Sequence, residues 1–321
     1  MAQKEWKATT KLIEAAIKIL KEIAPATIRQ TFYQLVVALL IQNCDADYRR
    51  VSRVLTKARR DGRVPFEWIV DRSRQTVDGT DWRDLKQLTH AMSLQLRGYR
   101  RDRWQDQPTY IELILEKDAM SGSLTPIVND YGLILSPVRG FDSTSNVYEI
   151  AQRLLRKRTV GKRVVILYCG DHDASGRDIE RDIQQRIEEY MLLACRADSR
   201  WKAYSACRVD SKWKADFEEM CRIEMQRIAI HKGDIKRYRL PPQRVKDSDP
   251  RAKSFVRQHG VDTVELDALN PNVLRNRLSR AIDSLIERRA WNRAELVEKA
   301  QRETCERYAG MLQNMENEAG Y

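Results

Sequence analysis

Short apolar runs and amphipathic stretches alternate regularly through the middle of the chain. The β-branched runs predict buried strands, and the amphipathic stretches predict helices. The predicted strands are residues 110–115, 133–137 and 163–168, and the predicted helices are residues 122–130, 144–157 and 175–190. This alternation is typical of an α/β fold with a mostly parallel sheet. Further strands are predicted at 228–230 and 264–266, and helices across 272–316.

The first hundred residues have a different pattern, with helical periodicity almost throughout. Helices are predicted at residues 6–23, 28–41 and about 47–60, with Thr27 as the N-cap of the second. Residues 64–71 predict a short extended segment after a turn at Asp61-Gly62. Three helices followed by a small β-wing predict a winged helix-turn-helix. We therefore expect a winged-helix domain over residues 1–106 and an α/β domain with a helical C-terminus over residues 107–321.

Acidic residues stand where two of the predicted strands end. Asp171 and Asp173 follow the run at 163–168, and Glu116 follows the run at 110–115. Ligands of α/β sheets gather at the carboxyl edge of the strands, and residues two apart in an extended chain point the same way. The three carboxylates therefore predict a site for Mg²⁺, with Mn²⁺ as the alternative metal. Taken by itself, the Asp-x-Asp pair also fits a solvated turn that binds no metal.

The charge of the chain adds a candidate partner. Lys and Arg number 58 against 46 Asp and Glu, a formal net charge of +12. This excess favours a polyanion, most simply double-stranded DNA, although a basic protein without such a partner has the same composition. The third predicted helix is the one expected to face DNA. The candidate DNA contacts are Arg49, Arg50, Arg53, Lys57 and Arg60 on this helix, and Lys117 and Arg139 near the strand ends.

One basic segment of the chain has two interpretations. The basic and aromatic segment 97–104 either touches DNA or solvates a hinge.

The six cysteines are scattered without a Cys-x-x-Cys pair, so we expect reduced thiols in a cytosolic protein and no zinc site. The charged N-terminus lacks the apolar core of a signal peptide, and no apolar run is long enough to cross a bilayer. We expect a cytoplasmic, DNA-associated protein without a membrane partner.

The acids together with two other segments carry a family resemblance. Glu116 after one strand and Asp171-x-Asp173 after a later one resemble the Toprim fold, a Rossmann-like domain of topoisomerases, primases and some nucleases. Residues 240–269 resemble the later part of the A subunit of topoisomerase VI, whose relatives include the meiotic double-strand-break protein and stand-alone "mini-A" proteins. That family carries Arg-x-x-Tyr-Tyr on a winged-helix helix, and residues 29–33 read Arg-Gln-Thr-Phe-Tyr. Phe32 replaces the first tyrosine, and Tyr33 stands at the position of the nucleophile.

The resemblance implies a magnesium-dependent DNA transesterase. Tyr33 would attack a phosphodiester and form a 5′-phosphotyrosyl link, with Arg29 stabilising the phosphoryl charge. Asp171 and Asp173 would hold the metal, and Glu116 would act as a ligand or as a general acid–base. In the family, the tyrosine of one protomer meets the metal site of the other, which implies a homodimer. Because the chain has no nucleotide-binding loop of the Walker type, ATP-driven strand passage would need a separate ATPase B-type subunit.

Two other functions fit the same residues. In a hydrolytic Toprim nuclease, water would be the nucleophile and Tyr33 would only pack in the core. In a winged-helix DNA-binding protein without activity, the α/β domain would be a scaffold. Three carboxylates at the strand ends argue against this last reading, because a scaffold does not need them.

Overall fold

The computed structural model describes residues 2–69, 81–138, 144–197, 219–246 and 248–318. The chain divides into two compact units, each built from two segments. The large unit comprises residues 1–73 and 110–284, and the small unit comprises residues 74–109 and 285–321. The described residues are mostly helical, with one four-stranded parallel sheet in the large unit. A boundary between functional domains near residue 106 stays a prediction, because compactness assigns no function to either unit.

Three helices open the large unit, as the sequence predicts. They are α1 (Ala2–Ile23), α2 (Ile28–Val37) and α3 (Asp45–Arg60). Thr27 forms a capping box at the start of α2: its Oγ1 accepts the Gln30 N–H at 3.0 Å, and its own N–H donates to Gln30 Oε1 at 2.7 Å. The end of α2 comes four residues earlier than predicted. Leu39 adopts φ 59°, and the N–H groups of Leu39 and Leu40 close a Schellman motif on the carbonyls of Val36 and Leu35.

The segment after α3 differs from the predicted extended wing. Residues Phe66–Trp68 form a 3₁₀ helix, and Ile69 makes an isolated parallel bridge with Ala26. No strand pair forms within the described part of this segment, and residues 70–80 lie outside the described ranges. The three helices are therefore present, whereas the wing stays a prediction.

The sheet has the strand order β2-β1-β3-β4. Its strands are β1 (Thr109–Leu115), β2 (Ile134–Pro137), β3 (Arg163–Cys169) and β4 (Glu224–Ala229). Every residue of β1 and all but the first of β3 are buried, as expected for central strands covered on both faces. The connecting helices are α5 (Ser121–Tyr131), α6 (Thr144–Thr159) and α7 (Ala174–Ala197), and α6 and α7 pack with the sheet in one apolar core. The first three predicted strands and their helices are thus confirmed.

Short elements after β4 return the chain to the carboxyl edge of the sheet. In chain order they are α8 (Lys232–Arg237), β5 (Gln243–Arg244), α9 (Ala252–His259), β6 (Asp262–Thr263), a 3₁₀ helix (Leu266–Ala268) and α10 (Pro271–Leu285). The backbone of Val264 forms an antiparallel bridge with His172, just beyond the end of β3. Residues 262–268 are therefore held against the loop that follows β3.

The small unit pairs α4 (Leu85–Arg97) with α11 (Arg288–Glu318). The segment between α4 and β1 packs on α11: Trp104 meets Trp291 edge-on with ring centroids 5.3 Å apart, and Arg103 Nε pairs with Glu298 at 2.7 Å. Trp104 is 5 % exposed. Two residues of segment 97–104 therefore pack on α11 of the same unit, and DNA contact by this segment stays a prediction.

Candidate functional site

Glu116 and Asp171 meet at the carboxyl edge of the sheet. The Glu116 N–H donates to the Cys169 carbonyl at 2.9 Å, which extends the pairing of β1 with β3 by one step. The Asp171 N–H then donates to Glu116 Oε2, also at 2.9 Å. Two acids that are 55 residues apart in the chain are thereby joined directly. The structure thus brings together the two strand ends that the sequence singles out.

Two glycines make this close approach possible. A Cβ added at Gly170 would lie 2.5 Å from Glu116 Oε2 and 2.6 Å from a ring carbon of Tyr168. A Cβ at Gly176 would lie 2.7 Å from the Asp171 carbonyl oxygen and 3.0 Å from Glu116 Oε2. Both distances at each glycine are shorter than van der Waals contact, so only glycine leaves room for the Glu116 carboxylate.

Replacing Gly170 by alanine should therefore destabilise the fold by about 1–3 kcal/mol, because the added methyl group overpacks a buried site. Gly233 in α8 supplies the matched control, since a Cβ there meets nothing within 4 Å. Gly233→Ala should leave the melting temperature unchanged or raise it. Thermal unfolding of the two variants checks the expectation, and equal melting temperatures would contradict the crowding argument.

Asp173 marks the start of α7. Its Oδ1 accepts the Gly176 N–H at 2.6 Å, and its carbonyl accepts the Arg177 N–H at 3.1 Å, the pattern of an N-cap. Its charge is near enough to contribute to the raised pKa of Glu116. His172, between the two aspartates, faces away and packs edge-on against the rings of Phe255 and His259. Glu116, Asp171 and Asp173 therefore gather around one loop.

A second pair of acids joins them from the 3₁₀ segment. Lys117 Nζ lies 2.9 Å from Asp171 Oδ2, 3.0 Å from Glu265 Oε2 and 3.0 Å from Asp267 Oδ2. The Leu266 N–H, between the two new acids, donates to Asp171 Oδ1 at 2.7 Å. We call Glu116, Asp171, Asp173, Glu265 and Asp267 the carboxylate cluster.

The pKa values of the acids in the carboxylate cluster shift in different directions. Burial, together with the charge of Asp171, raises the pKa of Glu116, and burial raises the pKa of Asp171 although Lys117 opposes the shift. In contrast, the charges of Lys117 and Arg29 outweigh burial and lower the pKa of Glu265. Although burial opposes it, the surrounding carboxylates raise the pKa of Lys117. Burial therefore disfavours the ionised form of Glu116 and Asp171, whereas the neighbouring cations favour the ionised form of Glu265.

The donors fit a hard cation. Within the described ranges, no three His, Cys, Asp or Glu side chains are already arranged as a metal-binding group. The chemistry of the set nevertheless suits Mg²⁺, which prefers carboxylate oxygens and retains water ligands. Burial raises the pKa values of the adjacent acids Glu116 and Asp171, and a bound cation would stabilise their ionised forms.

Arg29 links the carboxylate cluster to Tyr33. The Arg29 Nη2 donates to Glu265 Oε1 at 2.6 Å, and its Nε lies 3.8 Å from Asp267 Oδ2. Its guanidinium carbon lies 6.0 Å from the centre of the Tyr33 ring, one helical turn further along α2. Tyr33 and the acids belong to the same unit of the same chain. Tyr33, Arg29 and Glu265 therefore form a continuous path of contacts from α2 to the carboxyl edge of the sheet.

Tyr33 is both packed and electrostatically linked to the cluster. It is 3 % exposed, and the ring of Phe32 stands edge-on to it at 5.2 Å. Burial and the charge of Glu265 raise the pKa of Tyr33 to about 12, although Arg29 opposes the shift. The phenol is therefore protonated at neutral pH, and it needs a proton acceptor or a stabilising cation to act as a nucleophile.

Basic side chains line a groove between α1 and α3. Arg50, Arg53, Lys57 and Arg63 all contribute to it, alongside Thr9 and Thr10. Arg49 and Arg53 are exposed, and Lys57 pairs with Asp61 at 3.1 Å. The side chain of Arg60 and the whole of Arg139 lie outside the described residues. Lys117 is not on this surface, since it is enclosed by the carboxylate cluster.

Sequence reasoning missed Arg227, which organises the loop that carries the acids. From β4 its Nη1 donates to the carbonyls of Gly170 at 2.9 Å and Ile230 at 3.1 Å, and its Nε pairs with Glu180 at 2.8 Å. In the sequence, nothing distinguishes Arg227 from other arginines as a residue that hydrogen-bonds the loop after β3. Glu265 and Asp267 form salt bridges with Lys117 and Arg29. Their position beside Asp171 was not expected.

Comparisons of the chain with protein-family models, curated proteins and solved structures found no match. In the part of the chain that the structure describes, no helix has the length and apolarity needed to span a membrane.

Proposed function

We propose that this protein cleaves DNA by magnesium-dependent tyrosyl transesterification, in the manner of a type IIB topoisomerase A subunit. The observation that supports this most is the continuous path Tyr33–Arg29–Glu265–Lys117–Asp171. It places a phenol, two cations and clustered carboxylates together, which are the groups that phosphoryl transfer needs.

Each residue has a defined role in this proposal. Tyr33 Oη bonds to phosphorus and gives its proton to a solvent water molecule, while the bond from phosphorus to the 3′-oxygen breaks. Glu116, whose raised pKa favours its acid form, protonates the leaving 3′-oxygen. Arg29 stabilises the charge on the phosphoryl oxygens. Asp171 and Asp173 would hold Mg²⁺ or Mn²⁺, which supplies positive charge at the scissile phosphate, and Glu116 would be the third ligand when it is ionised and does not serve as the acid.

Assignment of the two folds as a Toprim domain and a winged-helix domain is part of the same proposal. A parallel sheet with acids at its carboxyl edge is compatible with a Toprim domain, and three N-terminal helices with a basic α3 are compatible with a winged-helix domain. A homodimer and a separate ATPase B-type subunit are further parts of the proposal. Since Arg29 connects Tyr33 to acids of its own chain, the geometry also allows a site formed within one protomer.

The deciding experiment uses supercoiled plasmid DNA with Mg²⁺. After incubation, the protein is denatured and the DNA ends are examined for covalently attached protein. Cleaved DNA with protein on its 5′ ends supports transesterification. Cleaved DNA with free ends supports hydrolysis, and intact DNA in both Mg²⁺ and Mn²⁺ contradicts both enzymatic readings.

A hydrolytic Toprim nuclease is the second candidate. One observation favours it: Tyr33 is almost fully buried, and Phe32 packs both against its ring and against Tyr48. A tyrosine held in this way fits a core position, and water would then attack the phosphate. The non-catalytic DNA-binding alternative has less support, because a scaffold has no need of buried acids whose pKa values are raised.

Binding to duplex DNA should depend steeply on salt and weakly on sequence. Reversing the charge of Arg50 and Arg53 together should weaken binding by about tenfold or more and reduce the slope of log K against log salt by about 2. The double variant Arg288→Glu/Arg289→Glu, at the exposed start of α11, makes the same change in net charge elsewhere. Fluorescence anisotropy across a salt series checks the expectation. Equal losses in both double variants would mean that net charge alone, and not the groove, attracts DNA.

A further inference from the structure

Lys117 stands at the centre of the carboxylate cluster and directly follows Glu116 in the chain. Its ammonium lies within 3.0 Å of three carboxylates that come from two separate segments, Asp171, Glu265 and Asp267. Its side chain is 25 % exposed, and that of Asp267 is 2 % exposed. An ammonium placed in this way neutralises buried acids that would otherwise repel one another.

The contacts of Asp171 make this ammonium a competitor for metal. Its Oδ1 is taken by the Leu266 N–H at 2.7 Å, and its Oδ2 by Lys117 at 2.9 Å. Both carboxylate oxygens therefore already have a partner. A divalent cation bound at Oδ2 would also stand close to the Lys117 ammonium, and two cations that close repel each other strongly.

We infer that Lys117 is an exchangeable internal cation, which occupies Asp171 in the metal-free protein and moves off it when a divalent cation binds. The inference rests on the proposed metal site at Glu116, Asp171 and Asp173. Before metal binds, the ammonium holds the loop after β3 to the 265–267 segment. Once displaced from Asp171, it is free to meet an anionic group such as a backbone phosphate of the substrate.

Arg29 provides the matched control, because it shares two of the same partners. It contacts Glu265 and lies 3.8 Å from Asp267, but no contact joins it to Asp171. Removing its charge changes the general electrostatic field of the cluster without freeing an Asp171 oxygen. The comparison of Lys117→Met with Arg29→Met therefore separates direct competition from long-range attraction.

Calorimetric titration with Mn²⁺ alone tests the inference without any measurement of activity. Lys117→Met should bind Mn²⁺ about tenfold or more tightly than the parent, and Arg29→Met should change the affinity much less. Equal effects in the two variants, or no gain in Lys117→Met, would overturn the exchange. If neither the parent nor Lys117→Met binds Mn²⁺, the proposed metal site fails, and the inference fails with it.

A second measurement needs only the parent protein, so it does not depend on how the variants fold. Acylation of lysine amines is followed by mass spectrometry with and without Mn²⁺. Lys117 should be modified slowly in the metal-free protein, because three carboxylates cover its amine, and several-fold faster with Mn²⁺, while Lys57 on α3 keeps its rate. An unchanged rate at Lys117, under conditions where calorimetry shows Mn²⁺ bound, would overturn the exchange and leave the metal site intact.

Discussion

Tyr33→Phe should abolish both DNA cleavage and the covalent protein–DNA adduct while leaving DNA binding intact. The substitution removes only the phenol oxygen, and the ring keeps its edge-on contact with Phe32. The expected loss of stability is about 1 kcal/mol, the usual cost of one hydrogen bond. Cleavage should fall by about 10³-fold or more, because no other group in the variant can form the phosphotyrosyl bond. The measurement is plasmid cleavage with Mg²⁺, followed by denaturation and detection of protein on DNA ends.

Tyr48→Phe is the matched control for this experiment. Tyr48 on α3 also packs edge-on against Phe32, and the Arg29 guanidinium carbon lies 5.9 Å from the centre of the Tyr48 ring. Its substitution changes the same aromatic cluster without touching the proposed nucleophile, so it should cleave at the parent rate. A Tyr33→Phe protein that cuts DNA at the parent rate would refute transesterification and establish water as the nucleophile.

The second large effect is expected at Asp171. Asp171→Asn should remove cleavage, by about 10³-fold or more, while DNA binding persists. Asparagine keeps the size of the side chain and an oxygen that can accept the Leu266 N–H. In the absence of metal, the variant loses the ion pair with Lys117 and also the cost of a buried charge, so its stability should change little. Plasmid cleavage and thermal unfolding in EDTA provide the two measurements.

A surface acid provides the reference for Asp171. Asp130, exposed at the end of α5, can be changed to Asn with the same loss of one negative charge. Asp130→Asn should retain full cleavage. Cleavage by Asp171→Asn at the parent rate, in Mg²⁺ or in Mn²⁺, would remove Asp171 from the proposed metal site. A marked loss of stability in EDTA would show that the ion pair with Lys117 outweighs the burial of the charge.

The sheet and the first acids of the site could be predicted from local pattern. The run in β3 is apolar after Arg163 and the run in β1 is apolar except for Glu112, so both predict central strands, and Glu116 and Asp171 are the first acids after them. The same local reasoning misplaced the end of α2. Helices usually end with glycine or asparagine in the left-handed conformation, whereas here Leu39 adopts it. The sequence around Leu39 therefore has no stop signal.

The remainder of the site could not be predicted, because it depends on contacts between distant segments. Lys117 and Asp267 are 150 residues apart, and no periodicity relates them. A lysine beside a strand end reads as a phosphate contact until the acids that surround it are located. Arg227 is a similar case, since its partners are backbone carbonyls, which every residue possesses.

The solvent exposure of the ion pair between Arg29 and Glu265 also affects how easily the Arg29 guanidinium can change its partner. The Arg29 side chain is 45 % exposed and that of Glu265 is 24 % exposed, so water and salt reach the pair. Pairs this accessible contribute only about 0–1 kcal/mol to stability. In the proposed reaction, an incoming phosphate would therefore replace Glu265 as the partner of the Arg29 guanidinium at little energetic cost. Exchange of this partner would free the guanidinium while α2 stays in place, because residues 30–36 are buried and Gln34 Nε2 also donates to the Ala268 carbonyl.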